Sequence, residues 1–496
     1  MGVVIKQSIR SILITFVGIL LGIIINIVSM KVFHKTEYGF TQNLVKIAIQ
    51  VCYLSLFGVN FAVIIYGQKY PPGHEKRGSF LTLSLIIPLL STLIITLLYF
   101  IFKEHFIGFY NSGDDEMLRE FFILFPILTF LSATQSWLEG YLQSIHKTAV
   151  QTFAKEALAR VIYIILIALF IGDILNYRTF LWWYVGLYII PIAYLLYHCY
   201  KNEGFEFKFN LKQFSKKEIW NIVQFSGNQM FMVISIVLIV QIDSILLGPL
   251  DKNGFEAIAV YGIATFAISI IKNPVRALSM AAMPSLAADY QNIRLKSLRT
   301  NFLKSATTMQ IASLFMGLIM VININDIQNI LNSFKPGYEQ VQYLLLLLLI
   351  GQIADVFGGL NMEVITLSKY YKFNTWASLS MLIVIIILNI ILIQEIGIYG
   401  AAIATSAGLI LYSVLKISFV YKKFKMIPFS RKTLVLLGIG ALCTALCYWL
   451  NISSNPIINL FFKSAVFSVV YCTAVYKLKI SEDINQLLRK FIPFLR

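Results

Sequence analysis

Apolar residues in this chain run in long blocks, not in the short rhythms of a half-exposed helix or strand. Between charged or turn-rich breaks lie about fourteen stretches, each long enough to cross a bilayer as a helix. They cover 11–33, 41–66, 79–102, 120–142, 152–171, 179–199, 219–247, 257–283, 305–323, 339–365, 374–393, 398–421, 432–450 and 457–477. The predicted fold class is an all-α polytopic membrane protein. The longest basic connection, between Cys199 and Glu218, falls between the sixth and seventh stretches and predicts a linker between two halves. The expected organisation is a six-helix lobe over 1–201, a linker over 202–218, a second six-helix lobe over 219–424, two additional spans within 425–479 and a tail over 480–496. In that tail Ile484, Leu487, Leu488, Phe491 and Ile492 share one helical face, as in a helix lying at a membrane surface.

Charge orients these spans. Of 41 Lys and Arg residues, 29 fall on one alternating set of connections and 8 on the other, leaving Lys46, Lys272, Arg276 and Lys416 within spans. The rich set includes Lys6, Arg10, Lys76, Arg77, Lys147, Lys155, Arg160, Lys212, Lys216 and Lys217; the poor set includes Lys31, Lys35, Lys103, Lys252 and Lys463. Positive charge is retained on the cytoplasmic side of short loops, so both termini and the 202–218 linker are expected in the cytoplasm. Lys6 and Arg10 precede an apolar stretch with no small-residue cleavage site, which reads as a retained first span of a cell-membrane protein.

The sequence has 496 residues, 58% apolar and 13% charged, which leaves no room for a sizeable soluble domain. A net charge of +17 suggests nucleic acid in a soluble protein. Here it lies in loops facing anionic headgroups, and no nucleic-acid partner is implied. Five cysteines sit within or at the ends of apolar runs, and five histidines are scattered without metal-ligand spacing. The Cys443/Cys447 pair shares a helix face and reads as packing. All six tryptophans fall near predicted span ends, as an interfacial belt requires.

The halves resemble one another. Tyr38-Gly39 and Tyr261-Gly262 open the second and eighth spans. His146-Lys147 and Tyr371-Lys372 close the fourth and tenth, and Tyr200-Lys201 and Tyr421-Lys422 close the sixth and twelfth. The offsets are 223, 225 and 221 residues. Six spans per half give both halves the same orientation, related by an axis along the membrane normal.

Charges at membrane depth are costly unless they face protein or water, so each is a functional candidate. In the eighth span Thr265, Ser269, Lys272, Arg276 and Ser279 share a face, with Pro274 expected to kink the helix between the two cations. In the second, Asn43, Lys46, Gln50 and Tyr53 form a similar stripe. Lys46 lies only ~9 Å along its helix and could instead snorkel to the surface. The tenth span adds Gln352, Asp355, Gly359 and Glu363. Asp355, Asp243 and Glu363 are read either as ion-coupling groups or as partners in internal ion pairs, with Lys272 pairing to Asp355 or Asp243 as one alternative. Glu139 and Asp243 lie near span ends, where ordinary helix-end interactions also explain them. Gly18, Gly22 and Asn26 recur every fourth residue of the first span; the glycines signal close helix packing. The predicted cavity set is Lys46, Gln50, Lys272, Arg276, Asn26 and Ser269. No phosphate-binding loop ending in Gly-Lys-Ser/Thr occurs, and the few histidines assemble no catalytic triad, so neither an enzyme nor a cofactor is implied.

Several short stretches, in order, resemble the polysaccharide transporter family. That family lies within the wider group of multidrug and toxic-compound extrusion proteins and lipid II flippases. The stretches are Glu37-Tyr38-Gly39-Phe40, Leu56-Phe57-Gly58, Gln241-Ile242-Asp243 with Leu247-Gly248, Val260-Tyr261-Gly262, Pro284-Ser285 and Gly397-Ile398-Tyr399-Gly400-Ala401-Ala402. The resemblance implies two six-helix lobes in a V around a cavity opening alternately to each side, plus two C-terminal helices associated with a lipid tail. It implies a flippase for an undecaprenyl-diphosphate-linked oligosaccharide, such as an O-antigen, capsule or exopolysaccharide unit of lipopolysaccharide or related polymers. The setting would be the inner membrane, beside a downstream polymerase and ligase. Family cavities are often cationic; with only Lys46, Lys272 and Arg276 recognised here, a cargo more neutral than lipid II is expected. A drug/cation antiporter of the same group would need acidic cavity residues. A membrane-embedded glycan polymerase or ligase would need a long external catalytic loop.

Overall fold

The structure, a computed structural model, describes residues 3–110, 115–145, 147–201, 205–291, 294–370 and 372–491. Every regular element among them is helical. Nine helices are long and apolar enough to cross a membrane, and counting three bent pairs as single spans gives twelve among the described residues. This is a multi-pass membrane protein. Of the fourteen expected spans, the two outside that set are 120–142 and 152–171. Both are helical, and both carry the polar groups described in the next subsection. The chain divides into two compact units, 1–259 and 260–496.

The first unit contains α1 (Val3–Val32), α2 (Lys35–Leu56), α3 (Val59–Lys69), α4 (Arg77–Ile101), the short α5 (Lys103–Gly108) and α6 (Asp115–Phe121), and α7 (Leu124–Ser144). Then α8 (Thr148–Thr152) runs through a π-helical turn, Phe153–Leu158, into α9 (Ala159–Ile171). α10 (Tyr177–Gly186), α11 (Ile189–Tyr200) and α12 (Lys216–Leu250) follow, and the unit ends within α13 (Gly254–Gln291). The 1–201 lobe expected from sequence thus lies inside a unit that also holds the linker and α12.

The motif at the start of α2 has a physical basis. Glu37 caps the helix by accepting the His34 N–H at 2.8 Å, and its own carbonyl accepts the Tyr177 hydroxyl at 2.7 Å. Tyr38 donates to Asn26 of α1 at 2.7 Å. A Cβ at Gly39 would lie 1.7 Å from the Phe255 carbonyl oxygen, so only glycine lets α13 approach. Phe40 is fully buried against Phe121, Phe125 and Phe255. At the far end, Phe57 and Gly58 have φ of 48° and 69° and bend α2 from α3 by 45°. Gly58 takes that left-handed conformation without strain, and its backbone faces the Ser226 carbonyl of α12 too closely for any side chain.

The 205–214 part of the linker is ordered. Phe205 packs on Trp137 and Tyr141, and Phe214 on Tyr70. Buried Arg77 donates to the Gly67 and Tyr70 carbonyls at the end of α3, at 3.3 and 2.7 Å, and so satisfies helix-end acceptors. Trp137 corrects the belt reading. It is 3% exposed and donates to Ser84, whereas Trp182, Trp183, Trp220, Trp376 and Trp449 are all exposed.

The second unit contains α14 (Leu295–Ile322), α15 (Ile324–Phe334), α16 (Val341–Phe357), α17 (Asn361–Leu367), α18 (Lys372–Ile396), α19 (Ile398–Phe424), α20 (Arg431–Tyr448), α21 (Pro456–Lys477) and α22 (Glu482–Phe491). The pair α20–α21 packs on α14 through Leu436, Cys443, Cys447, Phe467 and Tyr471. Lys463, assigned above to an external connection, is instead buried and paired with Asp326 of α15 at 2.7 Å. In α22, Ile484 packs against this core and Glu482 pairs with Lys304 at 3.1 Å. The side chains of Leu487, Leu488 and Phe491, and Ile492 itself, lie outside the described residues. All five cysteines are free thiols.

Candidate functional site

On α2, Tyr38, Thr41, Gln42, Val45, Lys46, Ile49, Cys52 and Tyr53 recur at helical spacing and form one wall of a cavity of about 480 Å³ in the first unit. The other walls are Ile25 and Asn26 of α1, Gln135, Ser136 and Glu139 of α7, and Tyr184, Leu187 and Tyr188 of the α10–α11 region. The last is the stretch from the π turn into α9, which presents Lys155, Glu156, Ala159, Arg160 and Tyr163.

Each cation on these walls has an acidic neighbour. Lys46 donates to Ser244 of α12 at 2.9 Å, and the buried Asp243 carboxylate beside that serine acts on it electrostatically. Arg160 pairs with Glu156 at 2.7 Å, one turn away. Glu139 accepts a hydrogen bond from Gln135 at 2.9 Å and is the strongest electrostatic neighbour of Lys155. Gly18 explains how the π turn sits: a Cβ there would be 2.9 Å from the Glu156 carbonyl oxygen and from Arg160 Nη1. A larger residue would push α1 away from the charged turn. π turns often occur where a helix is adapted to a site, and this one carries two of the wall's charges.

The walls therefore hold three cations, two carboxylates and five phenols, those of Tyr38, Tyr53, Tyr163, Tyr184 and Tyr188, among the described residues. Such a lining can compensate an anionic group and hydrogen-bond a polyhydroxylated one. Among the described residues no three His, Cys, Asp or Glu side chains converge as metal ligands.

Of the residues expected at the cavity, Lys46 and Asn26 stand on its wall. Gln50 is 7% exposed and buried away from it, with neither end of its carboxamide bonded. Ser269 donates to the Phe266 carbonyl of its own helix at 2.6 Å, and Lys272 is exposed on α13; neither is among the residues that line this cavity. The side chains of Pro274 and Arg276 lie outside the described residues. Gly18 packs on the π turn, and the Gly22 carbonyl accepts from Asn26 at 2.8 Å. Asp355 is paired with Lys416 at 2.9 Å, and Lys416 also lies 3.9 Å from the Tyr412 ring centre. Glu363 accepts a hydrogen bond from Ser279. Asp243 and Asp355 thus act on Lys46 and Lys416.

Lys155, Arg160, Glu139 and Glu156 are the functional candidates that the sequence reading did not gather. The first two were counted with a basic loop, and Glu139 was read as a helix-end group. Part of their signal was present: Glu156, Arg160 and Tyr163 follow one another at spacings of 4 and 3, which share a helical face.

The sequence model of a family described as polysaccharide biosynthesis protein matches residues 4–288, more than half of the chain. No curated protein matches it. Among solved structures, the lipid II flippase MurJ in an inward closed conformation is similar, with a TM-score of 0.76 at 15% identity over 96% of this chain and 98% of that one. An inward-facing multidrug resistance MATE family transporter of the MOP superfamily has a TM-score of 0.63 at 15% identity, over 82% of this chain and 94% of that one. A MOP superfamily transporter from Pyrococcus furiosus, described as having a binding pocket of reversed polarity, has a TM-score of 0.56 at 14% identity, over 85% and 95%. At these identities the likeness establishes a shared fold.

Proposed function

The chain belongs to the polysaccharide biosynthesis protein family, and from that premise we propose that it is a flippase. Its cargo is a polyprenyl-diphosphate-linked oligosaccharide, of the undecaprenyl type, carried from the cytoplasmic to the outer leaflet of the cell membrane by alternating access. The observation that carries this reading is the first-unit cavity, where Lys46, Lys155 and Arg160 line one space with phenols and carboxamides. A diphosphate cannot cross hydrocarbon unaided, because an uncompensated charge there costs several kcal/mol or more. Cations in a polar cleft offset that cost, while the polyprenyl tail stays in lipid.

The paired carboxylates suit this role. An empty cavity with three bare cations would itself be costly, and Glu139 and Glu156 hold Lys155 and Arg160 until a phosphate displaces them. Arg160 offers a planar fork to phosphate oxygens, and Lys155 a mobile point charge. The MurJ likeness supports a lipid-linked glycan as cargo; O-antigen, capsule and exopolysaccharide units are all consistent with the family. The charge asymmetry of the loops supports cytoplasmic termini and linker. A polymerase and a ligase acting on the outer leaflet would consume the product. A cation antiporter fits less well, because cations outnumber carboxylates on the walls. Coupling to an ion through Asp355 would require that carboxylate to leave Lys416.

The experiment is replacement of Lys155 by Met together with Arg160 by Gln, in cells whose surface polymer is measured. Loss of polymer with normal protein abundance is expected, and full export by the double variant would overturn the assignment.

A further inference from the structure

Residues 205–215, which lead from α11 to α12, form a strap held on the first unit at several points. Phe205 is buried against Tyr141 and Phe214 against Tyr70, and Ser79 of α4 donates to Gln213 at 3.0 Å. Just beyond, Lys76 pairs with Glu218 at 2.8 Å. Between the two buried rings stands Phe209, 85% exposed, the most exposed large apolar side chain among the described residues. The two acids from 205 to 218 are already engaged, Glu206 with Lys208 at 3.4 Å and Glu218 with Lys76. Lys212, Lys216 and Lys217 are exposed and have no acidic partner among the described residues.

Folding explains neither feature. A phenyl ring gains nothing from exposure to water. Lys216 and Lys217 open α12, where the helix dipole favours acids and not cations. Orienting the chain in the membrane needs loop charge, but not an apolar ring held outward between Lys208 and Lys212.

The level of the strap decides what it meets. α10 and α11 together make one apolar span, Tyr177–Tyr200, and α12 begins the next. Tyr200 and Trp220, the aromatic residues that flank the strap on these two spans, are 72% and 65% exposed, as rings at a headgroup boundary are. A segment fastened between two such span ends lies at the membrane surface.

We propose that Phe209 with Lys212, Lys216 and Lys217 forms a docking surface for anionic phospholipid. The ring enters the boundary between headgroups and acyl chains, and the lysines take the phosphates. A protein partner fits less well, because one ring among flexible lysines offers no apolar centre for an interface. The assignment holds whichever cargo the cavity takes.

The test places p-benzoyl-phenylalanine at Phe209 of the full chain, in nanodiscs of phosphatidylcholine and phosphatidylglycerol. The reference position is Trp449, which is exposed in a stretch with no Lys or Arg between Lys432 and Lys463. Irradiation should attach phospholipid at both positions. At 209, phosphatidylglycerol should be captured at about five times its share of the bilayer, the worth of one lysine at an anionic surface. At 449 it should be captured in proportion to its share. Lys212→Gln, Lys216→Gln and Lys217→Gln together should remove the excess at 209, and they leave the buried rings of Phe205 and Phe214 untouched. High salt should remove it with the lysines in place, which keeps the test independent of how the variant folds. The same chain irradiated in cell membranes should give lipid adducts at 209 and no protein adduct. A protein adduct there, no lipid adduct at 209, no excess over 449, or an excess that survives the triple variant or high salt would each overturn the docking surface.

Discussion

Arg160 holds Glu156 at 2.7 Å on the cavity wall, and both are pressed against Gly18 of α1. A helix contact and a charge pair are thus one feature: the glycine admits the π turn that carries the charges. Gly18→Ala should separate α1 from that turn, since the obstructing atoms include a backbone carbonyl that cannot rotate away. A loss of about 1–3 kcal/mol is expected, the usual cost of overpacking. It would be read as a lower unfolding midpoint in detergent; an unchanged midpoint would mean that α1 does not depend on this contact.

The wall cations should differ in what they tolerate. Arg160→Lys keeps the charge but loses the fork, and should reduce export less than Arg160→Gln, which also strands Glu156. Each lost charge-assisted contact is worth roughly 1.5–3 kcal/mol, so export should fall by about tenfold or more in Lys155→Met and in Arg160→Gln. Lys272→Ala, at an exposed residue that does not line this cavity, should cost less. Surface polymer per cell, normalised to protein abundance, orders the variants; a Lys272 variant more defective than both would move the site to the second unit.

In the second unit, Lys463 and Asp326 are 3% and 6% exposed and joined at 2.7 Å, which fastens α21 to α15. Removing one partner strands a buried charge. Lys463→Met alone should cost about 3–5 kcal/mol, and adding Asp326→Asn should recover most of it. Thermal unfolding of the three proteins gives the comparison, and equal loss in the single and double variants would show that the pair itself is not what matters.

The linker has its own pH dependence. Hydrogen bonding from Lys76, and then the Ser215 backbone N–H, pull Glu218 from its usual 4.5 to about 2. A depressed folded value means that its contribution is complete above about 4.5 and is lost as pH falls toward 2. Protease protection of the 205–218 segment should therefore weaken across that window, and Glu218→Gln should be less protected at neutral pH and nearly flat with pH. Identical pH profiles for the two proteins would contradict the assignment.

Much of this architecture was legible because membrane helices advertise themselves: long apolar runs give the spans, and Glu37-Tyr38-Gly39-Phe40 marked a junction whose close approach only glycine permits. Lys46 could be flagged because it is a charge within a long apolar span, on a stripe with Asn43, Gln50 and Tyr53. Lys155 and Arg160 follow Lys147 closely, and the spacing that puts Arg160 on a helical face with Glu156 and Tyr163 does not show what that face meets. What distinguishes them is a helix continuing from Thr148 to Ile171 with its charged face turned toward α1, α2 and α7, and that is a tertiary fact. Trp137 and Lys463 were misplaced for the opposite reason: each has a buried partner, Ser84 or Asp326, far away in sequence. The phenolic cluster drew no notice because tyrosines are common at membrane surfaces, and only packing shows which ones face inward.

The central claim, that this chain moves a lipid-linked glycan headgroup across the bilayer, is tested most directly by the leaflet on which the cargo waits. In cells lacking the protein, or carrying Lys155→Met with Arg160→Gln, completed polyprenyl-diphosphate-linked units should accumulate. An impermeant glycan-binding probe should reach them only after lysis. Intermediates already labelled in intact cells would contradict the account, since the headgroup would then have crossed without this protein.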